Sequence, residues 1–177
     1  MDLIKEKEFS MHSAEESLAK VIMDDIVLLK YTVPLEPQAV DQSSKLVIIA
    51  LDVSASMEPA LETAKKAIFE LIKEFDVQGI SKISLITFEE TALTRDMSGW
   101  TLNSMQYQVD RQYAYGHTCF QAAFKEIRTC IEFNQPKDVC IIFFTDGIDN
   151  LSKNLTDEIK ELQQFLISKT KTAELRS

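Results

Sequence analysis

The sequence predicts an α/β fold, a doubly wound and mostly parallel sheet flanked by helices, and three observations carry that expectation. Residues 46–51 (LVIIAL) and 139–144 (VCIIFF) are unbroken apolar runs rich in branched side chains. They are too short for ordinary helices and read as strands buried on both faces. Residues 59–75 and 119–133 carry apolar side chains at spacings of three and four, the mark of helices with one buried stripe. Finally, both apolar runs end in oxygen-bearing side chains: Asp52, Ser54 and Ser56 after the first, Thr145 and Asp146 ahead of Gly147 after the second. Open α/β sheets place their sites at the carboxyl ends of strands.

Taken in order, residues 1–25 are charged and weakly amphipathic, and Ser13 followed by Glu16 has the form of a capping box. A short helix over 14–23 is therefore expected. Residues 26–33 read as a strand closed by Pro34 and Pro37; proline cannot donate to a ladder, so this strand stops there or lies at an edge. Residues 38–44 are a polar linker. After the strand at 46–51, the helix over 59–75 is expected to turn Leu61, Ala64, Ile68, Leu71, Ile72 and Phe75 inward and to keep Glu62, Lys65, Lys66, Glu70 and Lys73 wet. Residues 81–88 form the next strand and 91–96 its partner, with Glu89 and Glu90 at the turn and on the site side of the sheet as a second reading.

A short helix is expected over 102–109. Trp100, Tyr107, Tyr113 and Tyr115 gather much of the aromatic content just ahead of Gly116, His117 and Thr118. Packing within the core or loops is the first reading of these rings, and a recognition rim the second. The helix over 119–133 points Phe120, Ala123, Phe124, Ile127 and Ile131 inward, and the strand at 139–144 must be central or nearly so. An unpaired edge on that strand would template aggregation. A longer parent chain is the favoured cover for it, ahead of a partner or the segment 26–33. Asp149 and Asn150 read first as a polar turn and second as a rim to the site. Thr156 and Asp157 cap a last helix that faces Ile159, Leu162, Phe165 and Leu166 to the sheet. The organisation is thus a lead-in and linker over 1–44, one domain over 45–170 and a tail over 171–177.

Composition narrows the function classes. With 177 residues, 45% hydrophobic and 27% charged, the chain is sized and balanced for one domain with a core. A net charge of −9 without a basic cluster argues against nucleic acid or an anionic membrane surface as partner. No apolar run is long enough to insert into a bilayer, because Asp24 and Asp25 interrupt the nearest candidate. Cys119 and Cys130 lie on one helix about 16 Å apart along its axis, beyond disulfide reach. Cys140 sits within a buried strand as a small apolar residue. The opening MDLIKEK has no apolar core of signal-peptide length, so a cytoplasmic setting is expected, with an extracellular one open if the chain is cut from a secreted parent.

The three polar clusters carry the chemistry. A single Asp or Ser before a helix is an ordinary N-cap, but carboxylate and hydroxyl oxygens from several loops are hard ligands suited to Mg2+, Mn2+ or Ca2+ and poorly suited to zinc. Asp52-x-Ser54-x-Ser56, Thr118 after a glycine-containing turn, and Thr145-Asp146-Gly147, in that order, resemble the von Willebrand factor type A (vWA) domain over residues 46–166. Ala55 stands where glycine is usual in that family, and His117 where a second glycine is usual.

The resemblance implies a Rossmann-like vWA fold with a metal-ion-dependent adhesion site whose metal residues are Asp52, Ser54, Ser56, Thr118 and Asp146. It implies Mg2+ as cofactor, Mn2+ or Ca2+ being the alternatives, and a protein partner that contributes a Glu or Asp. Because the family's sheet usually continues with two further strands and a closing helix, the C-terminal strands are expected to be missing. The alternative is a metal-free scaffold domain of a larger multidomain protein, for example in ubiquitin-pathway or ATPase-associated assemblies.

Catalysis ranks below both, and no enzyme is expected. Ser54 occupies the place where aspartyl phosphotransfer would need a second acid. No Gly-x-Ser-x-Gly elbow supports a hydrolase built from Ser54 or Ser56, His117 and Asp146, and no glycine-rich phosphate loop supports nucleotide binding.

Overall fold

Every side chain from Leu46 to Leu51 is withdrawn from solvent, which requires cover on both faces of their strand. The computed structural model describes residues 7–9, 17–23, 26–34, 45–147, 149–152 and 155–174. Its elements in chain order are β1 (Lys7–Phe9), β2 (Ser17–Met23), β3 (Ile26–Pro34) and β4 (Lys45–Asp52), then a turn of 3-10 helix (Ala55–Met57) and α1 (Leu61–Val77). The hairpin β5 (Lys82–Phe88) and β6 (Ala92–Asp96) leads to α2 (Leu102–Asp110), α3 (Phe120–Asn134), β7 (Asp138–Thr145) and α4 (Leu155–Glu174).

Among the described residues the strands make one seven-stranded sheet in the order β1-β2-β3-β7-β4-β5-β6. The sheet is mixed: β4 runs parallel to β5 and to β7, and the outer pairings are antiparallel. Alternation along β4 divides the core. Val47, Ile49 and Leu51 join α1 and α2 through Ile68, Ile72, Met105 and Val109. Leu46, Ile48 and Ala50 join α3 and α4 through Phe124, Ile127 and Leu166. The doubly wound α/β expectation holds, while the sheet is mixed where it was expected mostly parallel, because short connections pair β1, β2 and β6 as hairpins and β3 runs against β7. Strand β4 is the one from which the chain departs in both directions, to β5 on one side and later to β7 on the other. Such a reversal leaves a crevice at the carboxyl end of the central strand, where Asp52 stands.

Phe88, Phe120, Phe124 and Phe143 form an aromatic knot under the start of α3, with ring centroids 5.0 Å apart for Phe88 and Phe143 and 5.6 Å for Phe120 and Phe143. Such ring pairs add about 1 kcal/mol each beyond their buried area. Phe120 lies two residues after Thr118, so the knot also holds that loop in place.

Several expectations are corrected. The segment expected as a helix over 14–23 contains β2, which pairs with β3 from Ser17↔Thr32 to Met23↔Ile26. The single capping-box signal yields to two apolar stretches separated by two residues, a spacing that rewards hairpin pairing. β3 is not an edge strand: Val27↔Thr145 through Pro34↔Asp138 pair it with β7, and Pro34 is tolerated as its last residue. The edge of β7 for which a longer parent was favoured is therefore covered by segment 26–34. Thr156 and Asp157 fall inside the first turn of α4, which begins at Leu155 and continues to Glu174, past the expected domain limit. Leu166 is buried and Leu162 and Phe165 pack beside it, whereas Ile159 is 41% exposed, because in the first turn of α4 it is Glu158 that faces α3, bonded to Gln121 and paired with Arg128.

Cover of β7 by β3 has a measurable consequence. Removing residues 1–34 should expose the β7 ladder and convert a monodisperse protein into soluble aggregates on size-exclusion chromatography. A truncated chain that elutes as a stable monomer would show that the pairing is dispensable.

Candidate functional site

The site is built where buried strands release their polar ends. Asp52 is wholly buried; its Oδ1 accepts from the Ser54 N–H at 2.9 Å and its Oδ2 from the Thr145 hydroxyl at 2.8 Å. Its carboxyl is pushed above the usual range chiefly by burial, with the Ser54 and Thr145 hydrogen bonds opposing and the nearby negative charge of Asp146 adding to the rise. Ser54 is buried, Ser56 is exposed, and their hydroxyls are 3.1 Å apart. Asp146 is half-buried. Gly147, at φ +85°, turns the chain so that its N–H donates to Thr145 Oγ1 at 3.0 Å.

Thr118 reaches this place through backbone hydrogen bonds. The Tyr115 N–H donates to the Val53 carbonyl at 2.8 Å, and the Ala55 N–H to the Gly116 carbonyl at 3.1 Å, so the loop before α3 lies along the Asp52–Ser56 loop. Gly116 has φ +71°, and a Cβ there would come within 3.1 Å of Glu89 Oε2, two reasons for glycine. His117 is exposed while Thr118 is fully buried. The Thr118 hydroxyl has no hydrogen-bond partner among the described residues. A buried hydroxyl left unmet costs about 1–3 kcal/mol, so its place calls for a ligand.

The third loop holds the second. The Thr118 N–H donates to Asn150 Oδ1 at 3.1 Å, and the N–H groups of Asn150 and Leu151 return to the Thr118 carbonyl at 3.0 and 3.1 Å. Farther along, the Gln121 N–H donates to Ser152 Oγ at 3.0 Å. The start of α3, whose Cys119 makes no side-chain cap, is thus capped from the loop after β7. Asp149 accepts from the N–H groups of Leu151 and Ser152 and shapes that loop. Asn150 is accordingly a positioning residue for Thr118, more than the polar turn that its sequence context first suggests.

The structure therefore joins the three loops that carry the five predicted residues, and it adds one the sequence leaves at a turn. Glu89 makes the turn after β5 as expected, and it also lies on the site side: its carbonyl accepts from the Cys119 N–H at 2.8 Å. The rings read first as core or loop packing are solvent-exposed: Trp100, Tyr107, Tyr113 and Tyr115 are 39%, 68%, 69% and 47% accessible. Among the described residues no group of three His, Cys, Asp or Glu side chains could hold a metal, so a cation here would rely on hydroxyls. Cys119 and Cys130 carry free thiols.

The model of the von Willebrand factor type A domain matches residues 47–148, more than half of the chain. The chain belongs to this family. vWA domains are generally interaction modules rather than enzymes. Two solved structures match part of the chain. One comprises three N-terminal domains of the type V pili tip protein Mfa5 from Porphyromonas gingivalis, with TM-score 0.43 and 19% identity, covering 61% of this chain and 20% of that one. The other is a von Willebrand factor type A protein from Catenulispora acidiphila, with TM-score 0.40 and 18% identity, covering 64% of this chain and 25% of that one. This vWA chain thus spans a quarter or less of either. No curated protein matches it. Among the described residues no helix is long and apolar enough to cross a membrane.

Two outcomes follow from this geometry. Asn150→Ala should cost about 1–2 kcal/mol in denaturant unfolding and speed hydrogen exchange at the Thr118 amide, while Asn150→Asp keeps the acceptor and most of the protection. The second concerns Asp52: a carboxyl raised in the folded state favours folding below its unfolded pKa, and that contribution is lost as pH rises through the higher folded value. In chelator, the wild type should lose stability across that window, and Asp52→Asn, read by thermal unfolding from pH 3.5 to 7.5, should flatten the loss.

Proposed function

We propose that this vWA domain is a metal-dependent protein-interaction module, in which Asp52, Ser54, Ser56, Thr118 and Asp146 hold Mg2+ and an acidic side chain of a partner completes the site. The observation that supports it best is the buried, unpartnered Thr118 hydroxyl, tied by backbone hydrogen bonds to the loop of Ser54 and Ser56. The donor set suits a hard divalent ion: two carboxylates balance its charge and three hydroxyls add neutral oxygens. Mn2+ or Ca2+ would find the same ligand chemistry.

Each residue has a distinct task. Asp52, held by the Ser54 N–H and the Thr145 hydroxyl, supplies a fixed negative charge at the floor. Asp146 supplies the second charge, and the repulsion between the two carboxylates is what a cation relieves. Ser54, Ser56 and Thr118 offer oxygens that carry no charge, which leaves a bound cation electron-poor. Such a cation supplies a local positive field in a chain of net charge −9, enough to attract a partner's Glu or Asp. Chemistry on the partner is not part of this reading, which assigns the chain no enzymatic role. The Ser54 and Ser56 hydroxyls are 3.1 Å apart, and the Ser54 hydroxyl also bonds the Asp52 carboxylate, a contact that in this reading anchors the floor of the site.

Calorimetric titration with MgCl2 tests the reading on the purified chain, with Asp52→Ala, Asp146→Ala and Thr118→Val as controls. Binding is expected for the wild type and at least tenfold weaker for each variant. At a hundredfold excess over Kd the ion should add about 2.7 kcal/mol to unfolding, a gain that EDTA removes. Absence of both heat and stabilisation with Mg2+ and Mn2+ would leave the metal-free scaffold as the better description.

A further inference from the structure

Next to the Asp52–Ser56 loop, on the face covered by α1 and α2, a groove of about 200 Å³ follows the outer hairpin. The register Leu85↔Arg95 and Thr87↔Leu93 puts Thr87, Leu93 and Arg95 on its floor. Arg111 and Gln112, just past α2, form one wall, and Gln112 is fixed by donating from Nε2 to the Gln108 carbonyl at 2.8 Å. Tyr113 and Tyr115, their ring centroids 5.1 Å apart, close the end toward Val53. Because the Tyr115 N–H bonds the Val53 carbonyl, this end of the groove lies beside the Asp52–Ser56 loop.

The charges in the groove are unusual for so acidic a chain. Arg95 and Arg111 are exposed and make neither a salt bridge nor a side-chain hydrogen bond among the described residues. Arg128 on α3, by contrast, is matched by Glu161 at 3.3 Å and Glu158 at 3.9 Å. The one acid that lines the groove, Glu89, lies toward Tyr115, whose phenol pKa is raised by burial and then by the Glu89 charge. Its Oε1 accepts from the Thr91 hydroxyl at 2.8 Å and its Oε2 from the Glu90 N–H, neither from an arginine. Two unmatched guanidinium groups on a polar floor fit a carboxylate, which such forks bind in bidentate fashion.

We propose that this groove is a second carboxylate subsite, in which Arg95 and Arg111 take an acidic side chain from the same partner segment whose first acid goes to the metal site. Tyr113 and Tyr115 lie between the two positions and pack against the intervening backbone of that segment. The location of the first acid rests on the function proposed above, whereas the arginine subsite stands on its own residues. Two weak contacts on one segment reinforce each other through effective concentration, so the partner is an acidic peptide with two carboxylates at a set spacing.

Fluorescence anisotropy on the full chain in Mg2+ provides the test, with labelled Gly/Ser decapeptides that carry one Glu, or two Glu separated by one to six residues. At one spacing the two-Glu peptide should bind about tenfold tighter than the one-Glu peptide, a gain of about 1.4 kcal/mol. Arg95→Gln and Arg111→Gln should each remove most of that gain without weakening the one-Glu peptide, and Lys66→Gln, exposed on α1, should leave it intact. The proposal fails if no spacing brings a gain, if the gain survives both arginine substitutions, or if Lys66→Gln erodes it equally. A second measurement separates the two sites: the Nε–H signals of Arg95 and Arg111, titrated with N-acetylglutamate amide in EDTA, should shift. A shift with no Mg2+ heat would sink the metal reading and keep the groove; no shift would sink the groove even where Mg2+ binds.

Discussion

The arrangement depends on one buried carboxylate. Asp52 stands at the end of a strand with no solvent-facing side, and an uncompensated charge in such a place costs several kcal/mol. The Ser54 N–H and the Thr145 hydroxyl meet its two oxygens, and in doing so they tie the loop after β4 to the end of β7. The same carboxylate therefore closes the top of the parallel core and sets the floor of the candidate site. Burial still holds its proton affinity above the ordinary range, and Asp146 adds to that tendency.

Thr118 belongs to the same unit through a different kind of force. The aromatic knot of Phe88, Phe120, Phe124 and Phe143 fixes the start of α3 from below, and Asn150 and Ser152 cap it from the loop after β7. Loop β7–α4 is thus mechanically joined to Thr118. The Arg128 pairs with Glu158 and Glu161 extend that connection to α4. The Thr118 loop and the start of α4 are linked by contacts that are few, polar and partly exposed, the kind that shift at modest cost.

Much of this was legible in the amino-acid order. The central strands and three of the four helices to within a few residues followed from apolar periodicity, and two of the site loops from oxygens placed after buried runs; the Thr118 loop followed from the resemblance to the vWA family. The failures share a physical cause. The segment 17–23 satisfies a weak local helix signal, but pairing with β3 along its whole length outweighs it. Ile159 continues an apolar stripe by spacing alone, and the line on which α4 meets its neighbours leaves it in water. Tyr113 and Tyr115 look like packing material until α2 and the hairpin place them at the mouth of a groove.

Local chemistry in the chain determined which residues form strands, which faces are apolar and which loops bring oxygens, because each of those properties is written within a window of a few residues. Tertiary structure alone decided that β3 covers β7, that Asn150 holds Thr118 and that Arg95 and Arg111 share one groove. Those partners lie from 16 to more than 100 residues apart in the chain, and only the long-range pairing of the sheet brings them within reach of one another.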